Sequence, residues 1–260
     1  LHDEAGARKR RAVPRVARER ERAAWPQVDG AGPHLPLATD RWIADALAVR
    51  LAARLEDAVV LPAVPFGCAS EHLDFTGTLH VEPATLEAIL RDLLASLRRH
   101  GFERAFLFTA HGGNHDALRA MRERLVAGAL PLELAFADGV DVGRLQEDVV
   151  AVHGLDPRAA GAHAGEYETS LVAWLEPGAV RFDALAAGIL VAEGGSQELF
   201  YPSLRPNAPT GVVGDPTRAA RGRGEAYLAA WVDALERAYR AAFDEGREKN
   251  RNATKGAQKA

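Results

Sequence analysis

Cysteine is nearly absent from this 260-residue chain: Cys68 stands alone. One thiol cannot close an internal disulfide, and without a second there is no Cys-x-x-Cys knuckle for a structural metal. No apolar run approaches the ~20 residues that span a bilayer. The first residues are Arg-rich and carry no apolar signal core, so the expectation is a cytoplasmic protein with no membrane partner. A large positive excess is missing too. The formal net charge is −4, which gives no electrostatic reason to expect nucleic acid as a partner. No internal repeat is evident.

What is present is enough apolar material for a core: 47% hydrophobic and 26% charged residues, expected to fold as one domain. The charge is uneven. Residues 1–24 hold eight Lys or Arg against four Asp or Glu, a net +4, which leaves −8 for the rest. Arg8 to Arg22 could serve as a basic arm, but the favoured reading is a solvated leader, with residues 246–260 a comparable basic tail. The domain is placed at 25–245.

Periodicity orders the middle of the chain. Thr39 or Asp40 is positioned to cap a helix whose apolar face is Ile43, Leu47, Leu51 and Leu55. Val59, Val60 and Leu61 read as a buried strand, 66–78 as a long loop, and 82–100 as an amphipathic helix with Pro83 in its first turn. The apolar run 105–109 is a short strand that ends at His111-Gly112-Gly113-Asn114. A helix around 115–126, a strand at 132–137, an irregular and partly helical stretch at 138–162, an apolar helical stretch at 171–175 and a last helix at 225–244 follow. This alternation predicts an α/β domain, a three-layer α/β/α sandwich around a mostly parallel central sheet. In such sheets ligands collect outside the carboxyl ends of strands, where His111 falls.

Polar candidates sit on four separate loops: Asp29, His34 and Asp40; Glu71 and His72; His111; and His163, Glu166 and Glu168. Imidazole and carboxylate without thiols suit Zn²⁺, Mn²⁺ or Fe²⁺ rather than a structural zinc knot. Each group also has a structural reading: Asp40 as an N-cap, Glu71-His72 as a solvated pair, His34 as a satisfied turn histidine, His115 as an exposed helix residue. Only their joint spacing favours a site.

That spacing resembles one family. Gly32-Pro33-His34-Leu35-Pro36-Leu37-Ala38-Thr39-Asp40, Gly67 to His72 with Phe75 and Gly77-Thr78, His111-Gly112-Gly113-Asn114, His163 to Ser170 and Gly214-Asp215-Pro216-Thr217 stand in the order seen in the creatininase family of metal-dependent amidohydrolases. The resemblance covers about residues 25–240. It implies an α/β fold, a dinuclear metal centre, a homo-oligomer that is often a hexamer, and hydrolysis of a C–N bond in a small amide, cyclic amide, formamide or peptide. It further implies that Asp40 bridges the metals, that His111 is a terminal ligand and that Glu168 is the acidic ligand or acid/base group. His163 is the implied catalytic histidine, with Glu166 beside it as a catalytic candidate. Metal would acidify water from about 15.7 towards 7 for attack on the amide carbon, and His163 would pass a proton to the leaving nitrogen.

The chain departs from the pattern in one block. Before Gly-Pro-His the family carries Glu-Gln-His, whereas here Asp29-Gly30-Ala31 stands. Asp29 can replace the glutamate, Ala31 cannot coordinate, and His34 is the nearest substitute; if nothing compensates, a single ion or none is the expected outcome. The apolar strand that leads into that motif in the family is replaced by Arg and Glu. A codon set for Val28-Asp29-Gly30, GTC GAC GGA, reads Ser-Thr-Glu when shifted by one base, which suggests an out-of-frame leader; an uninterrupted frame with this N-terminus in native material would rule this out. Two functions follow: an amidohydrolase, or an impaired member kept as a ligand-binding or oligomeric scaffold. A basic nucleic-acid arm on an inert domain is a third. Creatinine is not the favoured substrate, because members that open it carry a metal-binding acid where this chain has Gly113. The Gly-Gly form resembles members that act as peptidases in mycofactocin maturation or as deformylases of pyrimidine intermediates.

Overall fold

Parallel strands need a crossover, and the sequence supplies one between its two strongest strand signals. The structure, a computed structural model, describes residues 32–55, 57–137, 139–191 and 197–243. The expected leader, Asp29 and the tail lie outside these. Strand β1 (Arg104–Leu107) leads through helix α3 (Asn114–Ala129) to strand β2 (Glu133–Phe136). The strands pair in parallel, in the register Arg104 with Glu133 through Leu107 with Phe136.

The period of two along these strands sorts side chains into two layers. Ala105, Leu107, Leu134 and Phe136 pack with Leu86 and Leu94 of α2 (Pro83–Arg99) and with Met121 and Leu125 of α3. Phe106 and Phe108 face the other way, onto a cluster built by Ile43, Leu47 and Leu51 of α1 (Thr39–Ala52), Leu145 and Val150 of α4 (Val142–Val152), Tyr167 and Leu171 of α6 (Glu166–Leu175), and Tyr227, Leu228, Trp231 and Leu235 of α8 (Arg221–Phe243). Both faces of the strands are thus covered, the usual condition of parallel pairs. This is the expected three-layer α/β/α arrangement. Two four-residue helices, α5 (Pro157–Ala160) and α7 (Gln197–Phe200), complete the set among the described residues.

The sheet is smaller than expected among the described residues. Its only ladder there is β1–β2, supplemented by single bridges such as His163 with Val213 and Ile189 with Val213. Residues 59–61, expected as a buried strand, form no ladder. Val59 is 67% and Leu61 45% exposed, because no described segment offers them a partner edge.

Helix α6 lies tightly on α8, and Gly224 permits it. A Cβ at that position would meet the Ser170 carbonyl oxygen at 2.0 Å, so any side chain would force the helices apart. The close approach is what lets charged groups of the two helices meet in the interior. No described helix is long and apolar enough to cross a membrane.

Candidate active site

The chain leaves β1 at its carboxyl end and turns through Thr109 and His111 into α3. Thr109 fixes this turn: its Oγ1 accepts the His111 N–H at 3.1 Å and the Asn114 amide at 3.0 Å. Asn114 then reaches across to the preceding loop, where its Oδ1 accepts the Cys68 N–H at 2.8 Å. The adjacent Ala69 N–H donates to His80 Nδ1 at 2.9 Å. The loop so held presents the Cys68 carbonyl to His111 Nε2 at 2.8 Å, which leaves Nδ1 aimed the other way, at Asp40 Oδ2, 3.0 Å distant.

Asp40 is free to do this because it is not the cap that the sequence suggested. Helix α1 has Ala38 as its N-cap with no side-chain cap bond, and Thr39 Oγ1 donates to the Pro36 carbonyl instead. Asp40 sits one step inside the helix. Beside it, Glu168 on α6 accepts the Ala164 N–H. Ala164 has φ of 51°, a left-handed conformation unusual for a residue with a side chain, and the fold holds that turn so that its N–H meets Glu168.

Charge crowding is the electrostatic signature of this group. Burial works against a charged His111, but the Asp40 carboxylate, the Cys68 carbonyl and Glu71 together outweigh it and raise its pKa to about 9. Burial first, and then the charge of Asp40, push Glu168 up to about 8. His72 is driven the opposite way, to about 2, by burial and by the neighbouring imidazoles of His163 and His111. Its ring stacks on His163 at 4.2 Å between centroids. Asp40, His72, His111, His163 and Glu168 all line one cavity of about 270 Å³.

Among the described residues no three His, Cys, Asp or Glu side chains surround a single point as a finished metal site; Asp40 and His111 face each other as an ion pair. The donor chemistry nonetheless fits a divalent cation. Asp40, His111 and Glu168 line the same cavity, the imidazole is oriented from behind by a carbonyl, and the burial and neighbouring Asp40 charge that raise the Glu168 pKa would be offset by a cation beside it.

Two expected site residues are elsewhere. Glu166, a catalytic candidate, points away from the cavity into the α6–α8 contact, fully buried. Its Oε1 accepts Arg223 Nε at 2.7 Å and Ser170 Oγ at 2.6 Å, and its Oε2 accepts the Tyr227 hydroxyl. With both oxygens so engaged it is a structural counter-ion. His34, the substitute ligand, does not line the cavity either: it is buried, its Nε2 lies 2.9 Å from Thr169 Oγ1, and burial, aided by His163, lowers its pKa to about 4. Asp29 lies outside the described residues. Glu71 and His72, read as a solvated pair, are 3% and 5% exposed. Thr109, His80 and the Cys68 carbonyl carry no sequence signal of their own; Asn114, three residues after His111, is the available clue.

Comparison with known proteins places the whole fold. Residues 30–239 match the Creatininase family, described as creatinine amidohydrolase. The mycofactocin precursor peptide peptidase of Mycobacterium tuberculosis is 33% identical over 216 residues, covering 78% of this chain and 77% of that protein. The creatinine amidohydrolase of Pseudomonas putida is 26% identical, covering 82% and 85%. A solved manganese form of creatininase superposes with a TM-score of 0.67 at 24% identity over 83% of this chain and 87% of that one. A Zn–Zn form of a creatininase mutant gives 0.66. The chain belongs to the creatininase family. Its named relatives are hydrolases, and the two solved creatininases are a manganese and a Zn–Zn form.

Proposed function

We propose that this protein is a divalent-metal-dependent amidohydrolase that cuts a C–N bond in a short peptide or small amide, using a domain at 25–245. The observation that carries this is the meeting of Asp40, His111 and Glu168, from three distant stretches, at the carboxyl end of β1. These three would hold the ion, Zn²⁺, Mn²⁺ or Fe²⁺. When bound, such an ion polarises the carbonyl and lowers the pKa of water from about 15.7 towards 7.

The protein's own groups do the rest. With an ion bound in place of the Nδ1 proton, the Cys68 carbonyl would keep the remaining proton of His111 on Nε2 and leave the Nδ1 lone pair to the ion. His72, held neutral, gives His163 an uncharged face to stack on and keeps water from one side of it. His163 is then the group that hands a proton to the departing nitrogen. Leu37, Phe66 and Leu79, each at least 45% exposed, surround the cavity mouth and suit apolar groups flanking the scissile bond.

A peptide-like substrate is favoured over creatinine. A Cβ at Gly113 would lie 2.3 Å from the Cys68 oxygen and 2.5 Å from Glu71 Oε1, so this turn has no room for an acidic side chain. The relative with the higher identity is also the peptide peptidase. A cytoplasmic homo-oligomer belongs to the same reading. The second reading, an impaired scaffold, is favoured by Ala31, which stands where the family has a ligand. Metal analysis of the purified protein, followed by a screen of short peptides, formamides and small amides with each ion, separates them: one or two equivalents and turnover support the enzyme, no metal and no turnover the scaffold.

A further inference from the structure

Behind His111, on the side away from Asp40, lies a buried carboxylate that the proposed chemistry does not use. Glu71 is 3% exposed and sits on the 3-10 turn Ser70–His72. Its main chain is anchored, because the Glu71 carbonyl accepts the Leu204 N–H at 3.0 Å. Its Oε1 is 4.0 Å from His111 Nε2 and 3.5 Å from His72 Nε2. It also occupies the space over Gly113, where a Cβ would come within 2.5 Å of Oε1 and 2.7 Å of His111 Nε2.

A carboxylate is seldom buried without a partner, since leaving water is costly for a charge. The groups lying against Oε1 are imidazoles, and the ring it backs is the one whose far nitrogen faces Asp40. An imidazole that donates its distal N–H towards a carbonyl or carboxylate is fixed in tautomer and orientation and becomes a stronger donor at its other nitrogen. The Cys68 carbonyl takes that hydrogen bond. Glu71 places a carboxylate on the same side, and the missing side chain at Gly113 is what makes room for it.

We infer that Glu71 is a positioning residue for the cation site, a carboxylate behind His111 that strengthens its Nδ1 as a ligand, with Gly113 as the clearance that admits it. The inference rests on the proposed role of His111 as a ligand. It assigns Glu71 no contact with metal or substrate.

The test is the affinity of the purified full chain for Zn²⁺ and Co²⁺, measured by competition with a chromophoric chelator, with the visible spectrum of the Co²⁺ form and the melting temperature recorded alongside. Glu71→Gln, which keeps size and removes charge, is expected to weaken binding about 10–100-fold and to shift the Co²⁺ bands. Glu71→Asp should recover most of the affinity. Gly113→Ala, which alters no donor but crowds both Cys68 and Glu71, should weaken binding as well. Glu71→Gln with parental affinity and an unshifted spectrum overturns the inference, even if its melting temperature falls, because that pattern is purely structural. His111→Ala separates the two levels: if it binds as tightly as the parent, or the parent binds nothing, the reading of the site itself fails.

Discussion

Replacing Glu166 by Gln distinguishes a structural carboxylate from a catalytic one. Glu166 lies wholly inside the α6–α8 contact, and Arg223, whose side chain is 13% exposed, places Nε 2.7 Å from it. Gln keeps the volume and removes the charge, so Arg223 loses its counter-ion in a site that water scarcely reaches. Either the Ser170 or the Tyr227 hydroxyl must also find an amide in place of a carboxylate. Breaking a buried pair from one side costs about 3–5 kcal/mol, and a domain of this size loses about 2–4 °C per kcal/mol. The expected fall in melting temperature is therefore about 6–20 °C, read by calorimetry or circular dichroism. Metal affinity and turnover of the folded fraction should be unaltered. An unchanged melting temperature with turnover abolished would refute the structural assignment and return Glu166 to the chemistry.

Three further outcomes follow from the same geometry. In chelator-treated protein, His111 moves from 6.5 to about 9 on folding, so its contribution is complete below pH 6.5 and is lost as pH rises through 9; Glu168, raised from 4.5 to about 8, costs stability increasingly between those values. Above pH 7, where His34 and His72 are neutral whether the chain is folded or unfolded, His111 and Glu168 act in one direction, so the melting temperature should fall from pH 7 to pH 9, and a rise over that range would contradict the charge assignment. His163→Ala should retain bound metal yet lose turnover, by about 10²–10⁴-fold if it is the general acid; turnover within twofold of the parent would make it structural. Leu125→Ala, at a fully buried position under β1 and β2, should cost about 2–5 kcal/mol in denaturant unfolding while leaving metal affinity intact.

Much of the architecture could be read from periodicity. Helix α1 buries Ile43, Leu47 and Leu51 as its pattern requires, and the βαβ unit around His111 falls within three residues of its expected bounds. The errors have physical origins. Glu166 and Glu168 are two residues apart on one helix, hence about 200° apart around its axis, so only one of them can face the cavity. Which one does is decided by Arg223 and Tyr227, four residues apart on one face of α8 and more than 50 positions away. No local pattern carries that information. Asp40 resembled a cap because Asp before a helix usually is one; its engagement with His111 is a tertiary event that outweighs the local preference. Residues 59–61 carry strand-forming side chains, but a strand also needs a neighbour, and none exists among the described residues.

The most direct measurement is anomalous diffraction from crystals of this protein soaked in Mn²⁺. The account predicts a peak bounded by Asp40, His111 and Glu168, with Glu166 still paired to Arg223. A map with no peak there, or one centred away from those three side chains, contradicts it.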